Sequence, residues 1–343
     1  DDPWRYRNKM EFSFGAEEDG ALVLGLHKRG SWREIVDVID CELASERMNR
    51  ARLAVAAACR DLGLRPYSRD GDGGGGLLRH LVVREGLASG DLLLNLFVAA
   101  RFPEEAELAA RVSAKSGCSS FGLTVNASRA DAAVGDGPHM LSGPPYLRER
   151  IAGVDLRVPA AAFLQTNSAM CETLYATALR LAAPEPPRPA VDLYCGIGSL
   201  SLPLARASRE VHAIEIQAAA IDAAGVNAEL NRVGNANFYA ADVRPLLRFP
   251  PHPVLDAGRA DDADRPAVVV ADPPRAGLAR KALQRAAALG ADRFAYVSCN
   301  PTTLAGNAAE LAELGYRLTD VAPVDMFPHT HHIETVALFA RAG

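Results

Sequence analysis

The second half of the chain alternates short apolar runs with helix-length segments, and this pattern constrains the fold more than any other feature. The runs are AVDLY (190–194), VHAIE (211–215), NFYAAD (237–242), AVVVAD (267–272) and FAYVSC (294–299). Strands that alternate with helices favour a parallel sheet covered by helices on its faces. The alternation begins near Phe163, so we predict an α/β domain with a Rossmann-like, mostly parallel sheet in this half.

A domain boundary is predicted near residue 158. The first part, residues 1–158, carries short β-type runs such as LLLNLFVAARF around one helical stretch from Ser45 to Leu62, which is typical of an α+β domain. Residues 159–343 form the second domain. Near its end, strand-like segments around Tyr316 and Ile333 have no helix between them, so the last strand is predicted to be antiparallel.

Two segments are predicted to be loops. A proline-rich hinge, PEPPRP, occupies residues 184–189. The glycine run at residues 71–76 follows no strand and precedes no Lys-Ser/Thr pair, so we interpret it as a flexible surface loop and not as a phosphate cradle.

Composition and charge limit the classes of partner. Apolar residues make up 49% of the chain and charged residues 23%, and no apolar run approaches the ~20 residues of a membrane helix, so we expect a soluble protein with no membrane partner. The net charge of -5 gives no overall attraction to nucleic acid. RNA binding would need a local basic face, and the alternative is a solvated strand face with its rings in the core. The residues of this candidate face are Trp4, Arg5, Tyr6, Arg7, Lys9, Lys28, Arg29, Trp32 and Arg33.

The cysteines indicate a reducing compartment. They lie at positions 41, 59, 118, 171, 195 and 299, without the close spacing of a zinc site or the density of a disulfide scaffold. The chain begins at Asp1 with no signal-like segment. We expect a cytoplasmic protein, or an organellar one if a targeting segment has been removed, and a monomer without metal ligands.

A glycine turn follows the first strand of the predicted sheet. Gly196 and Gly198 would allow a bound nucleotide to approach the backbone at the carboxyl end of the strand. A dinucleotide fingerprint would require glycine at the position of Ser201, and the acidic Asp192 would disfavour a pyrophosphate. The turn therefore favours a ligand with a nucleoside and no phosphate.

Acidic residues end the next three strands, and a cysteine follows the fifth. Glu215 is placed to reach ribose hydroxyls and Asp242 to meet an adenine, although each carboxylate could instead cap a helix. Two prolines fix the turn after Asp272. Cys299, in VSCNPTTL, lies beside the expected crevice, with Thr302 and Thr303 as candidate helix caps.

These motifs resemble the RNA 5-methyluridine methyltransferases, which act on transfer and ribosomal RNA. The resemblance rests on FLQTN (163–167), DLYCGIGSLSLPLA (192–205), AIE (213–215), ADPPRAGL (271–278), VSCNPTTLAGN (297–307) and HHIETVALF (331–339), in the family's order. PWRYRNKMEFSFG resembles the start of the family's RNA-contacting domain. The resemblance implies a class I methyltransferase domain that uses S-adenosylmethionine and modifies tRNA or rRNA.

The resemblance also implies the roles of eight residues. Cys299 is implied as the nucleophile and Glu334 as the base. Those implied to line the S-adenosylmethionine site are Gln165, Tyr194, Ser199, Glu215, Asp242 and Asp272. Uracil carbon 5 is too weakly nucleophilic to take a methyl group unaided, so thiolate attack at carbon 6 would activate it. A base must then remove the carbon 5 proton.

Two groups of residues invite a metal or cluster interpretation. Many family members hold an iron–sulfur cluster on four cysteines, but only Cys41 stands at such a position here, and one thiolate cannot hold a cluster. His329, His331 and His332 could share a face and bind a metal. Alternatively, they could shape the pocket around Glu334 or lie in the turn that leads to the last strand.

Two other functions remain open alternatives. A cysteine-dependent RNA cytosine methyltransferase would be expected to have a prolyl-cysteine motif on the fourth strand, which here ends in Asp-Pro-Pro-Arg. A non-catalytic RNA-binding or RNA-folding protein would not need Cys299, Asp272 and Glu334. The sequence does not identify the RNA or the modified uridine.

Overall fold

The structure is a computed structural model and describes residues 2–17, 19–31, 33–68, 75–128, 133, 135, 137–182, 184, 186–256 and 264–342. Three predicted features lie partly outside the described residues: Trp32 of the basic face, residues 71–74 of the glycine run and residue 185 of the hinge. Contacts divide the chain into two units, residues 1–149 with 158–161 and residues 150–157 with 162–343.

The first unit contains a seven-stranded sheet in the order β3-β2-β1-β4-β5-β6-β7. Its elements are β1 (Lys9–Ala16), β2 (Leu22–His27), β3 (Ile35–Val36), α1 (Glu46–Asp61), β4 (Leu78–Glu85), β5 (Leu92–Val98), α2 (Glu105–Ser116), β6 (Ser120–Val125) and β7 (His139–Ser142). Only β5 and β6 pair in parallel, because α2 carries the chain back between them. The predicted helix at Ser45 is confirmed, since the Ser45 hydroxyl caps α1 by accepting the Met48 amide at 3.1 Å.

A two-stranded sheet, β8 (Tyr146–Ile151) with β9 (Val154–Pro159), follows in the sequence. Its turn segment, Arg150–Arg157, belongs to the second unit, although the sequence placed it in the first domain. The reason is local hydrogen bonding: the amides of Asp155 and Arg157 donate to the side-chain oxygens of Asn231 and Asn227, at 2.9 and 2.8 Å.

The second unit contains the sheet predicted from the alternating pattern, with strand order β12-β11-β10-β13-β14-β16-β15. Its elements are α3 (Ser168–Ala182), β10 (Ala190–Leu193), α4 (Ser201–Ala205), β11 (Val211–Glu215), α5 (Ala218–Leu230), β12 (Ala236–Ala240), α6 (Val243–Arg248), a 3₁₀ helix (Pro253–Leu255), β13 (Val268–Ala271), α7 (Arg280–Ala288), β14 (Arg293–Ser298), α8 (Pro301–Glu313), β15 (Tyr316–Val324) and β16 (Glu334–Arg341). Five strands, β10 to β14, run in parallel. The predicted antiparallel last strand is confirmed, because β16 lies antiparallel between β14 and β15.

The central strands of this sheet are buried on both faces. Every residue of β10 and β13 is buried, as expected of aliphatic strands covered by helices on both sides. Because the strands β10 to β14 are parallel, their carboxyl ends lie at the same edge of the sheet. Among the described residues, the structure has no helix of the length and apolarity that a bilayer crossing requires.

Candidate active site

The glycine turn after β10 has a left-handed backbone at three positions. Tyr194, Gly196 and Gly198 have φ values of 67°, 53° and 82°. A Cβ atom at Gly198 would lie 3.3 Å from the Ala224 side chain, so glycine is required there for packing as well as for conformation. Positive φ at Tyr194, a residue with a bulky side chain, is backbone strain of the kind that clusters at ligand sites.

Glu215 closes this turn from the neighbouring strand. One of its carboxylate oxygens accepts the Gly196 amide at 3.4 Å, and the other accepts the Gln217 amide at 2.9 Å. Glu215 and the glycine turn are therefore in contact at the carboxyl ends of β10 and β11.

Asp242, at the end of the next strand, takes the capping position that the sequence left open. Its carboxylate caps α6 by accepting the Arg244 amide at 2.8 Å and pairs with the Arg244 guanidinium at 3.1 Å. These contacts hold the pKa of Asp242 below its usual range.

Asp272 lies at the tip of β13 and meets Gln165. The Gln165 amide nitrogen is 3.4 Å from an Asp272 carboxylate oxygen, and Gln165 itself is buried. Part of the Asp272 surface is still exposed, but burial of the carboxyl raises its pKa to about 7. The described residues provide no cation for Asp272, so a positively charged ligand would stabilise its ionised form.

Cys299 and Glu334 are brought together by strand register. Ser298 pairs with Thr335 across β14 and β16. Continuing this register by one residue sets Cys299, which directly follows β14, opposite Glu334, the first residue of β16. Glu334 is 3% exposed, and one of its carboxylate oxygens has no hydrogen-bond partner among the described residues. Burial, assisted by the charge of Asp272, raises the pKa of Glu334 to about 8.

The Cys299 thiol is partly buried in this acidic surrounding. Burial and the neighbouring carboxyls of Glu334 and Asp272 raise the pKa of Cys299 above its usual range, so the free thiol is protonated at neutral pH. The site thus combines a cysteine thiol, a buried carboxyl beside it and a second carboxyl that interacts with both.

Comparison with known proteins decides the family. The sequence profile described as tRNA (uracil-5-)-methyltransferase matches residues 150–342. An uncharacterized RNA methyltransferase of Chlorobaculum tepidum is 34% identical over 99% of this chain and 72% of its own length. Another, from Halalkalibacterium halodurans, is 35% identical over 98% of this chain and 71% of its own length. The chain belongs to the tRNA (uracil-5-)-methyltransferase family.

A solved structure supports the same assignment. The Pyrococcus abyssi tRNA (uracil-54, C5)-methyltransferase, in complex with S-adenosyl-L-homocysteine, matches with a TM-score of 0.80 and 26% sequence identity. The match covers 99% of this chain and 77% of the other. The predicted class I methyltransferase fold and the prediction of an enzyme are both confirmed.

Two buried hydroxyls of the methyltransferase were only partly foreseen. Ser199, a predicted cofactor residue, shares a 2.9 Å hydrogen bond with the hydroxyl of Tyr175 on α3, and both side chains are buried. Sequence reasoning missed Tyr175, because α3 carries no motif at that position. Its signal is a tyrosine on the apolar face of a helix, which requires a partner for its hydroxyl when buried.

Asp192 is a buried partner of Ser201. It is 1% exposed and accepts a hydrogen bond from the Ser201 hydroxyl at 2.5 Å. Burial raises its pKa to about 7. The serine at position 201 departs from the dinucleotide fingerprint.

The turn after Cys299 is held by a cap and a buried tyrosine. Asn300, and neither of the predicted threonines, caps α8 by accepting the Thr302 amide at 3.1 Å. Further along α8, the Asn307 side-chain oxygen accepts both the Tyr296 hydroxyl at 2.8 Å and the Leu278 amide at 2.9 Å. This network ties the loop after Asp272 to α8 and was missed from the sequence.

The structure also gives the surroundings of the remaining predicted features. His329, His331 and His332 occupy the turn before β16, and they form no group of three converging ligand atoms within the described part of the chain. Cys41, in the first unit, is buried in the apolar core, and its backbone is fixed by hydrogen bonds with the Asn49 side chain at 3.0 Å.

Several residues of the candidate basic face already make contacts within the first unit, which leaves less of this face to bind RNA. Arg5 and Lys28 form ion pairs with neighbouring carboxylates at 2.8 and 2.5 Å. Tyr6 is 8% exposed and belongs to the core, so it cannot stack on a base. Trp4 is 45% exposed and keeps a ring surface on this face.

Proposed function

We propose that the methyltransferase places a methyl group on carbon 5 of a uridine in tRNA or rRNA through a covalent bond between Cys299 and carbon 6. Glu334 serves as the base that removes the carbon 5 proton. The observation that carries this proposal is the register of β14 and β16, which sets Cys299 opposite a buried carboxyl with an unpaired oxygen. A nucleophile and a base at the ends of two neighbouring strands can act on the adjacent carbons 6 and 5 of one ring.

The charges of the crevice fit S-adenosylmethionine, whose sulfonium is positive. Glu215, Asp272 and Glu334 form no ion pair among the described residues, so the crevice carries uncompensated carboxyl groups. The position of a Cβ atom at Gly196 faces open space beside Glu215. S-adenosyl-L-homocysteine in the Pyrococcus abyssi relative confirms the predicted cofactor. Gln165, Tyr194, Ser199, Glu215, Asp242 and Asp272 remain our proposal for its binding residues.

The raised pKa of Cys299 implies an order of events. Burial opposes formation of the thiolate most, and the neighbouring carboxyls of Glu334 and Asp272 oppose it further when they are ionised. Neutralisation of Asp272 by a bound cation removes part of this opposition. Cofactor binding therefore favours the thiolate, and nucleophilic attack follows cofactor binding.

The steps on the uracil ring then balance. When bound, S-adenosylmethionine would supply an electrophilic methyl group and leave as S-adenosylhomocysteine. The Cys299 thiol gives up its proton to solvent, its sulfur adds to carbon 6, and the ring electrons move towards carbon 5, which takes the methyl group. Glu334 accepts the carbon 5 proton, the carbon 5–carbon 6 double bond forms again, and the Cys299–carbon 6 bond breaks. Only the ionised form of Glu334 can accept this proton. With a pKa of about 8, that form is a minor fraction at pH 7 but a stronger base than an exposed glutamate.

Substitutions of Cys299 and of Glu334 should have different effects on adduct and product formation. Cys299→Ala should bind RNA and cofactor but form neither adduct nor product. Glu334→Gln should form the adduct and transfer the methyl group, but elimination should stall, so a protein–RNA band accumulates on a denaturing gel with labelled RNA. Cys118→Ala changes a partly buried cysteine of the first unit and should behave like the parent.

Two outcomes would contradict the proposal. Product formation by Cys299→Ala would exclude the covalent route. Turnover of Glu334→Gln at the parent rate without an accumulating adduct would exclude Glu334 as the base. Nucleoside mass spectrometry of RNA from a deletion strain, compared with the parent strain, would identify the RNA and the base.

A further inference from the structure

A second cluster of ionisable side chains lies at the opposite end of β11 from Glu215. Glu210 directly precedes the strand, and His212 is its second residue. His252 precedes the short 3₁₀ helix and faces His212. One ligand atom from each of the three residues lies within 4.8 Å of the others.

The spacing within this cluster is that of ligands around one ion. The Glu210 Oε2 and His212 Nε2 atoms are 3.2 Å apart. Bonds of about 2.0–2.1 Å to a tetrahedral zinc ion place neighbouring ligand atoms about 3.3 Å apart. The rings of His212 and His252 have centroids only 4.4 Å apart, so both imidazoles converge on the same space.

The surroundings of His212 orient its ring for such a role. The Tyr239 hydroxyl lies 2.8 Å from His212 Nδ1, and the two rings stack at 5.8 Å. A metal-bound histidine ordinarily donates its second ring N–H to an oxygen, which fixes the tautomer. His212 is fully buried, and burial, followed by the nearby His252, lowers its pKa, so the ring is neutral.

An arrangement without an ion satisfies the two hydrogen bonds of His212. In that state His212 Nε2 carries the proton and donates to Glu210, and Nδ1 accepts the Tyr239 hydroxyl. His252 is then held against His212 by ring contact alone. An ion bound by all three residues accounts for the convergence.

We propose that Glu210, His212 and His252 bind one divalent transition-metal ion of the zinc class. Imidazole nitrogens favour zinc and its neighbours over magnesium or calcium, and the three ligands leave a tetrahedral position for water. The ion would hold the segment around the 3₁₀ helix against the amino end of β11. This site is separate from the cluster of Cys299 and Glu334, so it has no part in methyl transfer.

Zinc and cobalt titrations test this site directly. Metal-free protein should bind one equivalent of zinc in competition with a chromophoric chelator, and cobalt should give the visible absorption of a four-coordinate ion without sulfur ligands. His252→Asn keeps an acceptor for the Val254 amide, which now donates to His252 Nδ1 at 3.3 Å, but it removes the imidazole. That variant and Glu210→Gln should each weaken zinc binding by roughly tenfold or more. His139→Asn, an exposed histidine of β7, should bind like the parent.

The tautomer of His212 gives a second, independent measurement on the unaltered protein. Nitrogen–proton correlation spectra should show the His212 proton on Nδ1 with zinc and on Nε2 without it. Equal zinc binding by His252→Asn, Glu210→Gln and the parent, cobalt spectra dominated by thiolate ligands, or an unchanged His212 tautomer would each overturn the proposal.

Discussion

Replacement of Glu334 by glutamine should raise the free energy of unfolding, and this gain should grow as pH rises from 4.5 to 8. The pKa of Glu334 rises from an ordinary value of 4.5 to about 8 in the folded chain. At 1.36 kcal/mol per pKa unit, this difference costs the folded state about 5 kcal/mol once the group is ionised in both states. At pH 7 the folded carboxyl still holds its proton most of the time, and the cost there is about 3 kcal/mol.

The sign follows from proton binding. Between pH 4.5 and 8 the folded chain holds a proton on Glu334 that the unfolded chain has lost, so the free energy of unfolding falls as pH rises through this window. Below pH 4.5 both states are protonated and no cost remains. Glutamine does not titrate, so the advantage of Glu334→Gln should be near zero at the acid end and largest above pH 8.

Urea unfolding followed by far-ultraviolet circular dichroism measures this difference. Fluorescence would be unsuitable, because both tryptophans, Trp4 and Trp32, precede residue 150 in the sequence. Glu313→Gln makes the same chemical change on an exposed residue of α8 and should shift the urea midpoint very little at any pH. The argument fails if Glu334→Gln is less stable than the parent above pH 8, or if its advantage does not grow with pH.

Three further predictions test the ligands and the loops. Calorimetric titration should show that S-adenosylmethionine binds and nicotinamide dinucleotides do not, and Glu215→Ala should weaken the cofactor; a tight dinucleotide complex would contradict this. RNA affinity should fall steeply with salt, and replacing Arg5, Arg7 and Lys9 together by alanine should weaken RNA binding and flatten the logarithmic salt dependence; equal RNA affinity would place the contact surface elsewhere. Gly277→Ala should destabilise by about 1–3 kcal/mol in urea unfolding, because φ is +74° and its Cβ would lie 2.8 Å from a side-chain oxygen; an unchanged midpoint would contradict the steric argument.

The sheet of the second unit could be predicted from the sequence because its strands are short, aliphatic and separated by helices. The predicted runs at 190–194, 211–215 and 294–299 correspond to β10, β11 and β14 with boundaries that differ by one residue at most. The turn segment 150–157 could not be placed in the same way. Its unit depends on hydrogen bonds with Asn227 and Asn231, 70 or more residues along the chain, and no local pattern encodes such contacts.

The candidate site shows the same limit at the level of side chains. The sequence motifs predict that Glu215, Asp272 and Cys299 lie at one edge of the sheet, because each residue ends or directly follows a strand. The choice between ligand contact and helix cap at Asp242 required the structure, since both uses place a carboxylate after a strand. The hydrogen bond from the Tyr296 hydroxyl to Asn307 of α8 could not be predicted either, because it depends on tertiary packing.

The reversed direction of β16 explains how a residue near the end of the chain can act at this edge. If the last strand were parallel to β14, its carboxyl end would reach the crevice, and Arg341 would lie near Cys299. Because β16 is antiparallel, its first residue lies at the edge where β14 ends. Glu334 is therefore delivered opposite Cys299 by backbone pairing, while the buried strand that follows anchors it. A base fixed by sheet register loses little conformational entropy on substrate binding, so the fold itself preorganises the proposed proton transfer.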